Sequence, residues 1–392
     1  MPSSPGGSGM KQPPRLLVVL NGSLATPGHS VGGGDLVMLK FIRLSNLLPD
    51  VLIPISAQGH LAGQGKVFLT LRNLSLSTLG IIATFAARII QALGQSLKHR
   101  TTYDIALAAS PYAVDVLPVW FWRARRKGAV IYHIIPPRKA VNWATRIRFG
   151  LAALEQQITL RILRRACDFV VAGNEFTRAQ LAPRLPGKPI YVLPAGFDAA
   201  AIDRVPLAKR DPNLACFIGR LVSQKGIFDL VQVMEGLRQT RPAMRLVIMG
   251  TGPEQPLLQA ELERRQLRNV ELAGFVTEAQ KFARLREAAF FFFPSYEEGW
   301  GIALAEALYC GCRCVCYELP HYRSIFRDFP AYARLGDPED FQRAVLAAGQ
   351  GGPIPGQEEF IRQYDDPRIV AHLTDCLHAV AATSRKSSPP LP

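Results

Sequence analysis

The chain has 392 residues, 48% of them hydrophobic, and a formal net charge of +15, enough material for two domains that each bury a core. The charge is uneven: residues 1–200 hold 23 Lys and Arg against 8 Asp and Glu, and residues 201–392 hold 23 against 23. A basic first half suits an anionic membrane surface or a phosphate-bearing substrate, whereas nucleic acid is set aside because no helix-turn-helix, zinc-finger or RNA-recognition signature accompanies the charge.

Residues 1–13 are rich in Pro, Ser and Gly and are expected to form a disordered tail. They carry no apolar core ahead of a small-residue cleavage site, so they do not read as a signal peptide, and a cytoplasmic location is expected. The first strand, 16–20, runs into a polar loop that ends in Gly32, Gly33, Gly34 and Asp35, at the head of the helical pattern LVMLKFIRLSNLL. Glycines at a helix start let a ligand's phosphate or sugar touch the backbone; a loop without a ligand fits this segment equally well. A second strand is predicted over 51–55. The uncharged run 73–87 is broken by Ser, Thr and Gly and falls short of the roughly 20 apolar residues that span a bilayer, so no transmembrane helix is predicted.

Strand 105–108 is followed by VLPVWFWRARRK (116–127), which sets Trp120, Phe121 and Trp122 beside a cationic cluster. Core packing of these aromatics and a surface role are both open at this point. Strand 130–134 carries His133 near its end, an ionisable imidazole at a predicted cleft. Residues 146–165 form an amphipathic, basic helical pattern suited to a membrane interface, and strands 169–172 and 190–193 complete the first half.

The stretch 193–213, with Pro194, Gly196, Pro206 and Pro212, reads as a linker. The alternation then restarts with strands 215–218, 245–249, 270–272, 290–293 and 312–316. Strands separated by helices imply parallel sheets, and the restart implies two of them, with ligands at the carboxyl ends of the strands. Gly219-Arg220 follows the first of these strands, and Lys225-Gly226 opens the helix IFDLVQVMEGL. Two cations bracketing a turn at a helix N-terminus suit a diphosphate: Arg220 as a fork, Lys225 as a mobile point charge. A second glycine turn, Gly250-Thr251-Gly252-Pro253, is placed to border a base or ribose. SYEEGWGIALAEALYC (295–310) then sets Glu298 and Glu306 around a Gly-Trp-Gly turn that opens a helix. Eight residues of helix rise about 12 Å, so the two carboxylates are expected to hold different parts of an elongated ligand. Cys310, Cys312, Cys314 and Cys316, spaced one apart on a predicted strand, lack the paired spacing of a zinc ribbon and read as small, reduced core residues sharing one face.

Together these motifs resemble the retaining GT-B glycosyltransferases of family 4, also called glycosyl transferases group 1. The resemblance rests on Glu298-x7-Glu306, Gly219-Arg220 with Lys225-Gly226, Gly250 to Pro253, and Gly274-Phe275-Val276. It extends from about residue 16 to about 380 and is stronger in the second half. It implies an α/β fold of two Rossmann-like, doubly wound domains facing a central cleft. These are an acceptor-binding domain over 14–198 and a nucleotide-sugar-binding domain over 199–365, followed by a helix over 366–380 that packs back on the first domain and a disordered tail over 381–392.

The resemblance also implies roles. Arg220 and Lys225 neutralise the donor diphosphate, so no metal and no cofactor beyond the nucleotide sugar are expected. Glu306 binds the ribose; Glu298 and the backbone N–H groups of Trp300, Gly301 and Ile302, next to Gly299, hold the transferred sugar. His133 contacts that sugar near the reacting carbon, Gly219 and Gly252 line the nucleotide, and Gly32, Gly33 and Gly34 lie near the diphosphate and acceptor. Trp300 stands where the family often has Phe, and ELPHYRSI (318–325) replaces a common Gly-Gly-x-Pro-Glu segment. The partners implied are a UDP- or GDP-sugar and a glycan or lipid-linked acceptor, met at the inner face of the cytoplasmic membrane if the aromatic and basic first half is a surface. The alternatives weighed are a nucleotide-sugar epimerase or hydrolase of the same fold and a non-catalytic glycan-binding or membrane scaffold protein; the pairing of both glutamates with Arg220 and Lys225 favours transfer.

Overall fold

The computed structural model describes residues 13–23, 33–61, 64–73, 78–134, 143–349 and 351–383, without the side chains of 78 and 143–149. Most of the two expected tails, and Gly32, therefore lie outside the described residues. Two parallel sheets form. The first comprises β1 Leu16–Val19, β2 Asp50–Pro54, β3 Val67–Thr70, β4 Tyr103–Ala108, β5 Ala124–Ile131, β6 Phe169–Ala172 and β7 Ile190–Val192, in the order β3-β2-β1-β4-β5-β6-β7. The second comprises β8 Asp211–Ile218, β9 Arg245–Met249, β10 Val270–Gly274, β11 Ala288–Phe293, β12 Arg313–Tyr317 and β13 Ala331–Ala333, in the order β10-β9-β8-β11-β12-β13. Helices cover both faces of each sheet, which is why the central strands read as unbroken apolar runs. In β11, AAFFFF, Phe290 and Phe292 enter one core layer and Phe291 and Phe293 the other, all four buried. Each such side chain contributes roughly 1.5–3 kcal/mol of burial.

The structure departs from the sequence reading in several places and decides one question it left open. Strands β3 and β13 are unpredicted; both are short and at sheet edges, so they bury too little to leave a continuous apolar run. Strand β5 starts at Ala124 and ends at Ile131, so the cations of 125–127 lie on a strand and His133 lies two residues beyond it. There Arg126 pairs with Asp168 at 3.4 Å and the Lys127 N–H donates to the same carboxylate at 2.8 Å. Trp122 is core, whereas Trp120 and Phe121, at the end of helix Ala113–Phe121, are exposed. Of the four clustered cysteines only Cys314 and Cys316 lie on β12; Cys310 ends helix Ile302–Tyr309 and reaches Cys312 through the Gly311 turn. All four thiols are nevertheless buried in one cluster, and burial holds them above the usual thiol range. Finally, within the run read as broken, residues 78–87 open a 21-residue helix, Thr78–Lys98, whose span Leu79–Lys98 is long and apolar enough to cross a membrane by length and composition.

The last helix, Asp366–Ala382, packs on the first sheet, where Ile369, Leu373 and Leu377 join the cluster of Val18, Ile53 and Val130. Lys40 secures its start through Asp366 at 2.8 Å. The chain thus crosses twice between the domains, and the two crossings are tied by Phe197 N–H to Tyr364 C=O at 3.1 Å and Asp366 N–H to Phe197 C=O at 2.9 Å.

Candidate active site

In each sheet the winding direction reverses once, between β1 and β4 and between β8 and β11. Loops leaving adjacent strands diverge at such a point and open a crevice at the carboxyl ends. The loops after β8 and β11 are the two that carry Arg220, Lys225 and Glu298. They are joined by the Tyr296 N–H, which donates to Gln224 C=O at 2.9 Å. Gly226 makes this approach feasible: it sits at φ 67°, and a Cβ there would overlap the carbonyl oxygen of Pro294. Asp229 accepts from the Tyr296 and Tyr317 hydroxyls at 2.7 and 2.6 Å, fixing the second loop from below.

The stitching brings Lys225 Nζ to 2.5 Å from Glu298 Oε1, both largely shielded from solvent. Arg220, earlier on the same loop as Lys225, is exposed and makes no ion pair among the described residues. Gly219 and Leu221 pack against the glycine turn 250–253: the Gly219 N–H donates to Met249 C=O at 3.1 Å and the Leu221 N–H to Thr251 C=O at 3.0 Å. Gly250 and Gly252 leave room for this, since a Cβ on either would overlap the carbonyls of Gly219 and Leu221. Ser223 reaches the same turn through Glu254.

Glu306 is buried in the second turn of helix Ile302–Tyr309 and accepts from Lys281 at 2.8 Å. The two motif carboxylates therefore meet different cations, Lys225 and Lys281. Lys281, on helix Glu278–Glu287, had no local signal in the sequence; only the packing of two distant helices finds it. Trp300 is buried by its side chain against Phe326 and Tyr364, so only its backbone remains for a ligand. Gly301, at φ 105°, caps the helix, and half-buried Ile302 begins it.

The first domain meets this turn directly. Asn174 Nδ2 donates to Gly299 C=O at 3.1 Å, while its Oδ1 caps helix Glu175–Leu181 by accepting from the Thr177 N–H at 2.7 Å. A Cβ on Gly299 would lie 3.5 Å from His133 Nδ1, and His133 Nε2 is 3.6 Å from Glu297 Oε1. His321, from the ELPHYRSI segment, is buried with its ring 6.3 Å from that of Phe176. Burial, with His133 nearby, pushes its imidazole down to about 4, so it is neutral at neutral pH. Asn174 and His321 were missed because a cap residue and an unmatched loop gave no hint of the opposing domain.

Above the first sheet, Gly33 is exposed and Gly34 packs on Tyr132, whose ring would lie 3.1 Å from a Cβ there. Asp35 follows in the first helical turn, its carboxyl raised by burial. Asp115 is buried below the loop after β1, accepting from the N–H groups of Asn21 and Gly22 at 2.7 and 2.8 Å and from Ser110 Oγ at 2.5 Å. The arrangement offers cations and helix-start N–H groups to an anion and carboxylates to hydroxyl groups, side by side in one cleft.

Residues 198–348 match the family model of the glycosyl transferases group 1. A glycogen synthase of Mycobacterium tuberculosis is 32% identical over 127 residues, 31% of this chain and 30% of its own length. A phosphatidyl-myo-inositol mannosyltransferase of the same organism is 30% identical over 173 residues, covering 42% of this chain and 44% of that protein. The chain thus spans under half the length of these curated relatives. The Anabaena protein HepE, solved with UDP and glucose, superposes at a TM-score of 0.67 over 93% of this chain and 100% of its own, at 15% identity. The two sheets thus form a GT-B fold, and the match to the glycosyl transferases group 1 falls on its second half, over residues 198–348.

Proposed function

We propose that the protein is a retaining glycosyltransferase of family 4 that moves a sugar from a UDP- or GDP-sugar to a glycan or lipid-linked acceptor, without a metal ion. The observation that carries this reading is the meeting of Lys225 and Glu298 from two loops at the β8/β11 reversal. A donor laid along the second domain places its diphosphate between Arg220 and Lys225, where two positive charges offset the charge that develops on the leaving phosphate. Lys225 exchanges part of its contact with Glu298 for phosphate oxygen, which releases that carboxylate to the sugar hydroxyls. Glu306, oriented by Lys281, accepts from the ribose. The N–H groups of Trp300, Gly301 and Ile302 face the same ligand from the helix start, and His133 approaches from the first domain beside Gly299. The similarity to HepE, solved with UDP and glucose, supports a nucleotide-sugar donor.

In the reaction the bond from the anomeric carbon to the phosphate oxygen breaks as the acceptor oxygen bonds to the same face. The leaving phosphate oxygen takes the acceptor proton. A thermal-shift series with UDP, GDP and ADP tests the reading, because a ligand of the folded state raises Tm. One nucleotide should raise Tm in the native chain, and Lys225→Ala should abolish the shift and lower transfer by about 10²–10³-fold. Unchanged product formation by Lys225→Ala would remove the diphosphate assignment, and no shift with any nucleotide would favour a scaffold role.

A further inference from the structure

Helix Thr78–Lys98 is built inside out. Its inward line, at helical spacing, is Thr84, Arg88 and Ala92, all fully buried. The Arg88 guanidinium donates to the carbonyls of Leu71, Asn21 and Ser23 and to Asn73 Oδ1 at 2.7–3.0 Å. Gln91 and Gln95 add bonds to the Leu71 N–H and Leu69 C=O. The outward line holds Leu79, Ile82, Ile90 and Leu97, which are 80%, 53%, 69% and 80% exposed. Arg88 is the only charged residue between Arg72 and Lys98, so the outer face has no charge along its length. A water-facing helix has the opposite polarity.

Two neighbouring helices continue the patch. Helix Ala113–Phe121 lies beside it and exposes Trp120 and Phe121, and helix Trp143–Ala166 lies beside that one and exposes Leu151, Leu154 and Ile158. The apolar patch is rimmed by exposed cations: Lys98 and Arg100 at one helix end, and Arg161, Arg164 and Arg165 at the other. The three helices hold just two carboxylates; Asp115 is buried, and half-buried Glu155 accepts from the Ala113 N–H at 3.0 Å.

We propose that this three-helix face docks in the plane of an anionic phospholipid bilayer, with Leu79, Ile82, Ile90, Leu97, Trp120 and Phe121 entering the headgroup–acyl boundary and the rim cations meeting lipid phosphates. The helix lies along the membrane and does not cross it, because Arg88 and the two glutamines tie its inner face into the domain. A second copy of the chain is the poorer occupant: a twofold contact through this face would bring the same cationic rims together without counter-charges. The docking does not depend on the transferase reading, although it has a consequence for it. Arg88 pins loop Asn21–Ser23 at the cleft rim, so a docked protein holds that rim about one helix diameter, roughly 10 Å, from the headgroups.

The test is flotation of the full chain with vesicles of phosphatidylglycerol and phosphatidylcholine in equal parts, against phosphatidylcholine alone. Binding to the mixed vesicles is expected, with weakening as salt rises from about 0.05 to 0.5 M. A double variant, Ile90→Glu with Leu97→Glu, should lose at least about tenfold in partitioning while keeping its thermal melt. Ile90→Trp should be quenched by lipids brominated along their chains. Equal partitioning of the glutamate variant, or an unquenched Trp, overturns the proposal. So does a wild-type dimer, seen by light scattering, that the glutamates dissociate and that ignores vesicles.

Discussion

The turns above the second sheet close inward, backbone against backbone, whereas the outer helices of the first domain turn their apolar side chains to the surface. In the first region Glu298 and Glu306 each meet a lysine, Asp229 and Glu254 accept from hydroxyl groups, and glycines stand where two loops come within contact. In the second, Arg88, Gln91 and Gln95 spend their polar groups on loops, and the outward line of the long helix is leucine and isoleucine. The two regions teach that burial follows the strongest unsatisfied demand locally. A loop at a sheet reversal must satisfy its backbone, and a helix whose inner face already carries an arginine has its apolar residues left for the outside.

The contrast is most readily broken at Gly226. Gly226→Ala forces a side chain into a left-handed turn and against Pro294, so the loops must separate. A loss of about 2–4 kcal/mol is expected in urea unfolding, together with loss of the nucleotide-induced Tm shift. A result near zero would show that the two loops are not stitched as described.

A second test sets the domains against each other through pH. Burial pushes the Asp115 carboxyl up to about 7, against the pull of its Ser110 and Gly22 hydrogen bonds. The folded chain keeps a proton that the unfolded chain releases near pH 4, so this group lowers stability as pH rises from about 4 to about 7. His321 acts in the opposite sense: with its imidazole held down to about 4, the unfolded chain binds the extra proton below about 6.5, and stability rises with pH over that range. Unfolding free energies between pH 4 and 8 should show a slope of at most about 1.4 kcal/mol per pH unit from each group. Asp115→Asn should remove the falling component and His321→Gln the rising one; identical profiles for both variants would contradict the separate environments.

The smallest effect sharpens the comparison. Ile90→Glu places a charge on the outward line of helix Thr78–Lys98 and should change stability in buffer by no more than about 0.5 kcal/mol. A large loss there would mean that Ile90 is packed within the domain after all.

Much of the second half was legible because its signals are local. A strand, a glycine turn and a cation within a few residues announce a loop at a sheet end, and the spacing of Glu298 and Glu306 states that they act apart. Strand β5 was misjudged because Arg125, Arg126 and Lys127 look like surface, although the pairing of Arg126 and the Lys127 N–H with Asp168 lets them continue a strand. Helix Thr78–Lys98 was missed as a unit because Ser, Thr and Gly looked like interruptions and the uncharged run stopped at residue 87, one short of Arg88.

By itself the sequence determined the alternation of strands and helices, hence two parallel doubly wound sheets, and it determined which loops carry cations, glycines and carboxylates, because those depend on neighbours within a few positions. The tertiary structure alone decided who meets whom: Lys225 with Glu298, Lys281 with Glu306, Asn174 with Gly299, and Arg88 turned inward so that leucines face out. Those pairings join residues 25 to 125 positions apart, and their energies depend on burial and distance, quantities that exist only once the chain has folded.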